Sequence, residues 1–205
     1  MRKPKGNELI VERITGSRIK SKVLHSLLSK RLLFFSLFNY ILYFNMAIER
    51  TFVAIKPDGV RRGLIGEIIK RFEQRGLKIV GLKMVWIDEK FASEHYFEHK
   101  NKIFFDRLKE YLTKGPVVAM VIEGADAISV VRKIVGPTSG DVAPPGTIRG
   151  DFGHMGVKHA DEKGRLYFNL IHASDKKENA EREIKLWFSP EELHTYKRVD
   201  EEEVM

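Results

Sequence analysis

The stretch Thr51-Phe52-Val53-Ala54-Ile55-Lys56-Pro57-Asp58-Gly59 reads as a strand that ends on a lysine and then turns. Thr, Phe, Val and Ile suit a pleated, buried surface and Pro-Asp-Gly is turn chemistry, so Lys56 is expected at the edge of a sheet. Reading outward, Leu64 to Gln74 carries apolar residues at helical spacing, and Leu77 to Ile87 returns as a strand. A second unit of the same kind follows: strand Val117 to Glu123, helix Ala125 to Val135, strand Leu166 to Ile171. Two strand-helix-strand units in series predict a ferredoxin-like βαββαβ sandwich, an α/β (α+β) fold. Glu89 to Lys100 and Phe104 to Leu112 are expected as an inserted helical hairpin, with Tyr96 and Phe104 near its tip. A Pro-rich loop at Pro144-Pro145 lies opposite, so the site is expected in a cleft between hairpin and loop. One domain suffices for residues 46–205.

The second informative stretch is Asn169-Leu170-Ile171-His172-Ala173-Ser174-Asp175. It sets a histidine at the end of the last expected strand, with Ser174 and Asp175 as N-cap and first-turn residues of a helix over Lys176 to Phe188. Imidazole titrates at about 6.5 when unperturbed, so near neutral pH it offers a free nitrogen able to attack a phosphoryl or acyl centre. The bland alternative is a core histidine satisfied by backbone. Its company favours chemistry. Lys56 sits at a sheet edge, Arg149 lies in a rigid loop between Gly146 and Gly150, which let backbone approach a ligand, and Arg132 and Thr138 flank another loop. Fixed cations and a hydroxyl are what a polyphosphate needs. No Walker A sequence, kinase glycine-rich loop or H-R-D occurs, so phosphoryl chemistry here must use another design.

Seven segments, in order, resemble a nucleoside diphosphate kinase: ERTFVAIKPDGV (Glu49 to Val60), RGLIGEIIKRF (Arg62 to Phe72), Glu94-His95-Tyr96, GPVVAM (Gly115 to Met120), PGTIRGDF (Pro145 to Phe152), NLIHASD (Asn169 to Asp175) and WFSPEEL (Trp187 to Leu193). The resemblance covers Met46 to about Tyr196. It implies that His172 takes the γ-phosphoryl of a nucleoside triphosphate such as ATP and passes it to a nucleoside diphosphate, by a ping-pong mechanism through phosphohistidine. It further implies that Lys56 contacts the ribose hydroxyl and the transferring phosphate, with Tyr96 fixing that lysine. Phe104 would stack on the base, Arg132, Thr138 and Arg149 would hold the phosphates, and Asn169 would bind the sugar hydroxyl. Glu183 would accept a hydrogen bond from the other ring nitrogen of His172. The cofactor implied is Mg2+, held mainly by the nucleotide phosphates rather than by a protein cage. The resemblance also implies a homo-oligomer, hexamer or tetramer.

Three departures from that pattern stand out. The connection between Phe152 and Asn169 is longer than usual and reads as an exposed turn around Asp161-Glu162-Lys163-Gly164, placed where it could disturb the nucleotide's approach. Gly140 stands where proline is common, which predicts a more flexible loop. The tail from Lys197 to Met205 lacks an aromatic ending.

Composition bounds the rest. With no cysteine, disulfides, thiolate catalysis and Cys-ligated zinc are excluded, and a cytoplasmic location is expected. Residues 1–45 hold 9 of the 36 Lys/Arg and 2 of the 28 Asp/Glu, so +7 of the formal +8 charge falls there. The catalytic segment is near neutral, which argues against nucleic acid as a partner. Within the extension, Leu32 to Phe44 is apolar except for Ser36 and Asn39. It is short of the roughly 20 residues of a spanning helix, and no small-residue cleavage site follows. Membrane contact is expected only if the extension belongs to the mature protein as an anchor. A folded addition is a further reading, and the one preferred is an overextended gene start with the protein beginning at Met46.

Two other functions compete. His95-Tyr96-Phe97-Glu98-His99 fits H-x-x-E-H, a zinc-hydrolase pattern with His95 and His99 as ligands, though no third ligand is identifiable. A non-catalytic nucleotide-binding module would need a defective site, and every implied residue is present.

Overall fold

The structure, a computed structural model, describes residues 48–204. In chain order its elements are β1 (Ile48–Ile55), α1 (Pro57–Arg61), α2 (Ile65–Glu73), β2 (Lys78–Val85), α3 (Glu89–His95), α4 (Phe105–Thr113), β3 (Val117–Ala125), α5 (Ala127–Val135), α6 (Ile148–Phe152), α7 (Val157–Glu162), β4 (Ile171–Ala173), α8 (Lys177–Trp187) and α9 (Glu201–Val204). The sheet order is β2-β3-β1-β4, with every pairing antiparallel. β1 and β2 therefore run the same way with β3 between them, which is the ferredoxin-like order expected from the sequence.

The period of two in β1 and β3 splits their side chains between two cores. Val53, Ile55, Met120 and Ile122 pack with Ile68 and Phe72 of α2 and with Val131 and Val135 of α5. Phe52, Ala54, Ala119 and Val121 face the other way, against Ala92 of α3, Leu112 of α4 and Trp187 of α8. The sheet is thus covered on both faces, which is why its central strands are apolar throughout rather than alternating. In the register His172 sits opposite Ala54. Cross-strand partners share a face, so the histidine falls on the side of the hairpin and α8.

Several expectations need correction. The last strand is not Leu166 to Ile171 but Ile171–Ala173, with His172 inside it. The backbone before it leaves the ladder because Leu170 takes φ of 68° and its N–H goes to Asp58 Oδ2 instead. Pro57-Asp58-Gly59 does not turn but opens α1, where a proline at the first helical position loses no needed N–H. The first hairpin helix ends at His95, and Phe97–His99 forms a 3₁₀ turn. Ser174 and Asp175 do not cap α8. Lys176 is its N-cap without a side-chain bond. The long connection has the exposed turn expected at Asp161 to Gly164, and a short helix, α7, leads into it. The extension 1–45 lies outside the described residues. Among the described residues no helix is long and apolar enough to cross a membrane.

Gly140 has a specific place. Its N–H donates to the Tyr167 hydroxyl at 2.8 Å, and that hydroxyl donates to the Thr138 carbonyl at 2.8 Å, tying the loop to the long connection. A Cβ at 140 would stand 2.9 Å from the Gly153 carbonyl oxygen. Gly140→Pro removes the donor and crowds that oxygen, so it is expected to lower stability by about 1–3 kcal/mol despite stiffening the loop. Denaturant unfolding of the two proteins measures the difference.

Candidate active site

Lys56 ends β1 and precedes α1, and its side chain is buried. Its Nζ donates to Asn169 Oδ1 at 2.7 Å and lies 4.9 Å from the centre of the Tyr111 ring. Its backbone N–H donates to the Leu170 carbonyl at 2.7 Å. Asp58, two residues on, accepts from the Tyr111 hydroxyl and, at 3.1 Å, from the Leu170 N–H. The same tyrosine oxygen accepts the Asn169 N–H at 3.1 Å. Three segments remote in sequence are thus locked by buried hydrogen bonds, and they hold Leu170 in a left-handed conformation that is uncommon for a non-glycine residue. Burial, joined by the charge of Arg149 and opposed by Asp58, brings the Lys56 ammonium down to about 7.

His172 projects from β4 and keeps 22% of its side chain exposed. Its Nε2 lies 2.9 Å from Glu183 Oε2 on α8, and the Ser174 hydroxyl donates to that same oxygen at 2.6 Å. The other carboxylate oxygen lies 3.5 Å from Arg182 Nη2. A carboxylate only accepts, so the Nε2 of His172 carries the proton and Nδ1 holds the lone pair. The carboxylate is itself held on both oxygens, which fixes ring orientation as well as tautomer.

Arg149 is buried and aims its guanidinium at three carbonyls: Gly136 at 2.9 Å, Ile171 at 2.7 Å and Asn169 at 3.3 Å. It belongs to α6, where Thr147 caps by accepting from the Gly150 N–H. Burial and then Arg132 lower its pKa to about 10, which leaves it charged at neutral pH. Gly150 serves the loop rather than a ligand: a Cβ there would lie 2.1 Å from the Pro144 oxygen.

A cleft of about 710 Å³ brings together Lys56, Tyr96, Phe104, Thr138, Arg149, Asn169 and His172. Eight of the nine residues named from the sequence thus meet there or, like Glu183, touch one that does. Arg132 stands apart: its guanidinium reaches the Ala173 carbonyl at 3.4 Å, and it lines a neighbouring groove with Lys133 and Pro144. Tyr96 lines the cleft, but its buried hydroxyl has no hydrogen-bond partner, and Lys56 is held by Asn169 instead. Asn169 accordingly spends its Oδ1 on the lysine, while Nδ2 donates to the Thr138 carbonyl at 3.3 Å.

The zinc pattern does not form. His95 is buried against Trp187 and His99 sits on the 3₁₀ turn, so the two histidines do not share a helix face. His95 instead packs on His172, ring centres 4.6 Å apart, and with Glu183 makes a group whose ligand atoms lie within 4.8 Å. The indole of Trp187 donates to His95 Nδ1 at 3.2 Å. Burial holds that ring neutral, and with Nδ1 accepting from the indole its proton is on Nε2, which has no hydrogen-bond partner among the described residues.

Sequence reasoning missed Asp58, Tyr111 and Ser174 as site residues. Asp58 was visible as the polar member of Lys-Pro-Asp-Gly and was read as turn chemistry. Ser174 was read as a cap. Tyr111 carries no local signal, since its partners are 53 and 58 residues away.

Buried cations around a tautomer-fixed imidazole make a site suited to an anionic, phosphate-bearing ligand. The family model described as nucleoside diphosphate kinase matches residues 49–193, and the chain belongs to that family. A nucleoside diphosphate kinase from Pyrococcus furiosus is 58% identical over 149 residues, 73% of this chain and 88% of the relative. One from Archaeoglobus fulgidus is 54% identical over 155 residues, 76% and 96%. Among solved structures, the Borrelia burgdorferi enzyme, a transition-state mimic with bound vanadate and ADP, superposes with a TM-score of 0.74 at 44% identity, covering 78% of this chain and 98% of that one. The Halobacterium salinarum enzyme in complex with CDP gives 0.70 at 50% identity, covering 78% and 99%. The chain is therefore an enzyme that moves phosphoryl groups between nucleotides.

A polyphosphate beside Lys56 favours its charged form and raises its pKa from about 7. At a pH of about 8 the lysine is mostly neutral before binding and charged after it, so nucleotide binding is expected to take up close to one proton per site. At a pH of about 5.5 it is charged in both states and contributes none. Calorimetry in buffers of differing ionisation enthalpy reads the uptake, which Lys56→Met should abolish.

Proposed function

We propose that His172 is the nucleophile of a ping-pong exchange that maintains nucleoside triphosphate pools. The carrying observation is the Ser174–Glu183–His172 chain, which leaves Nδ1 with its lone pair beside the cations of the cleft. Nδ1 attacks the γ-phosphorus of a nucleoside triphosphate. The bond from that phosphorus to its bridging oxygen breaks, and the nucleoside diphosphate leaves. A second nucleoside diphosphate then attacks the phosphohistidine through a terminal β-phosphate oxygen, and the ring regains its lone pair. Lys56 and Arg149 face the charge that spreads over the transferring group, in a buried setting where fixed charge acts strongly. Thr138 and Arg132 complete the phosphate contacts, with Arg132 turning in from its groove. Asn169 and Lys56 meet the ribose, Tyr96 backs the lysine, and Phe104, 42% exposed, offers its face to the base.

The donor set fits magnesium carried in on the nucleotide. The cleft's one carboxylate among the described residues is Asp161, already paired with Arg107, so there is no protein cage. Bound to the phosphate oxygens, Mg2+ supplies charge neutralisation, while the protein residues position the phosphates.

We place the catalytic domain at 46–205 and treat residues 1–45 as an extension it does not need, with a cytoplasmic location suggested by the absence of cysteine. A homo-oligomer, hexamer or tetramer, is supported by the exposed apolar side chains on and just after the outer strand β2, whose Ile79 and Val80 carbonyls are already taken by Tyr196 and His194. Leu82, Met84 and Trp86 are 54%, 54% and 70% exposed there, an apolar row that a second subunit would cover.

His172→Ala is expected to abolish labelling by ATP and exchange between nucleotides while binding is largely kept, and chelation by EDTA should stop transfer until magnesium is returned. Label that survives acid, or that persists in the variant, contradicts the assignment. A chain beginning at Met46 should match the full chain in exchange rate per site and in melting temperature. An inactive or insoluble short form would show the extension to be structural.

A further inference from the structure

Arg149 is carried by α6, a helix of only five residues. A helix that short makes little more than one hydrogen-bonded turn, so its setting depends on what grips it from outside. On the inner side Ile148 is fully buried in the core that α2 and α5 share, and the Arg149 guanidinium meets its three carbonyls. On the outer side the grip comes from α2. Arg71 Nη2 lies 2.6 Å from Asp151 Oδ2, and its Nη1 donates to the Gly146 carbonyl at 3.1 Å. Asp151 Oδ1 in turn accepts the Gly146 N–H at 2.7 Å. One guanidinium thus closes a ring through the residue before the helix cap and a residue inside the helix. Arg71 also lies against Phe152, 5.6 Å from its ring centre, and Arg62 Nη1 donates to the Phe152 carbonyl at 2.7 Å.

At about 100° per residue, positions 149 and 151 point to opposite sides of the turn. Arg71 therefore pulls on the outer face of the same turn whose inner face carries Arg149. Resting on the reading that Arg149 holds the transferring phosphate, we infer that Arg71 is a positioning residue for that reaction: through Asp151 and Gly146 it sets the angle at which α6 presents Arg149 to the cleft. Neither Arg71 nor Asp151 lines the cleft, so any effect of theirs on phosphoryl transfer passes through what they hold. The two acceptors, a carboxylate and a carbonyl, are met by the two ends of one planar fork, which a lysine ammonium does not reproduce. Placement matters because a shift of about 1 Å in a group facing the reacting centre can cost about 10²-fold in rate. Arg149 keeps its three carbonyls when Arg71 is lost, so the expected loss is smaller, about tenfold.

The test is a double-mutant cycle on the full chain, with phosphoenzyme formation from ATP and magnesium followed by intact mass over a range of ATP concentrations. Rates are compared at a temperature where melting curves show every variant folded. Arg71→Ala is expected to lower the maximal rate about tenfold in the native background and by less than about twofold in an Arg149→Ala background, because a misaimed group costs nothing once it is removed. Arg71→Lys keeps the charge but not the fork, so it should stay closer to Arg71→Ala than to the native protein. Asp151→Asn keeps an acceptor for the Gly146 N–H and loses the charge facing Arg71, so its loss should show the same dependence on Arg149. It also carries the cycle should Arg71→Ala fail to fold. A role confined to stability predicts equal factors in both backgrounds. Equal losses in the two backgrounds, or no loss in either, overturn the role of Arg71 and leave the kinase reading standing. An Arg149→Ala protein that forms phosphoenzyme at the native rate overturns the reading of Arg149 as well.

Discussion

The site depends on the buried carboxylate of Asp58. It accepts from the Tyr111 hydroxyl and the Leu170 N–H, and through them joins the end of β1, the hairpin helix α4 and the approach to β4. A buried carboxylate without donors is costly, so the three segments are held together more firmly than packing alone would hold them. The positive φ of Leu170 is one consequence. Another is that Lys56 and Asn169 are brought within 2.7 Å although 113 residues separate them.

Charge in this cleft is arranged by exclusion from water. Lys56 and Arg149 are both buried, and each lowers the pKa of its neighbour or is lowered by one. Such crowding of like charge is unfavourable for the free protein and is relieved by an anion. Fixed cations in a low-dielectric setting need little rearrangement when negative charge arrives, which is what phosphoryl transfer asks of a protein. On the other side of the proposed nucleophile the charge is negative: Glu183 sits beneath His172 and is steadied by Ser174 and Arg182. The imidazole therefore lies between an acidic support and a basic cleft, oriented by both.

The long connection between Phe152 and Asn169 is tied into the fold by side chains. Tyr167 ties it to the loop at Thr138 and Gly140, and Arg107 ties it to the hairpin. Gly140 follows from that arrangement, because proline there would lack the N–H that Tyr167 accepts. The connection lines the cleft through Val157, Asp161, Arg165 and Tyr167.

The central strands, the helices of both strand-helix-strand units and the cluster of cations around His172 were legible because they rest on local signals. β-branched and aromatic runs mark strands buried on both faces, helical spacing marks α2 and α5, and the seven ordered segments carry the family. What the sequence could not decide was wherever a backbone or side-chain group finds its partner far along the chain. Leu166 to Leu170 look like strand, yet they leave the ladder because Asp58 takes the Leu170 N–H. Ser174 has the composition of a cap, and only the packing of α8 turns its hydroxyl to Glu183. His95 and His99 have ligand spacing, and only the 3₁₀ turn and the Trp187 indole separate them from a metal. Hydrogen-bond donors and acceptors are written in the residue types, but the choice among possible partners is made by the fold, where burial makes each unpaired group costly.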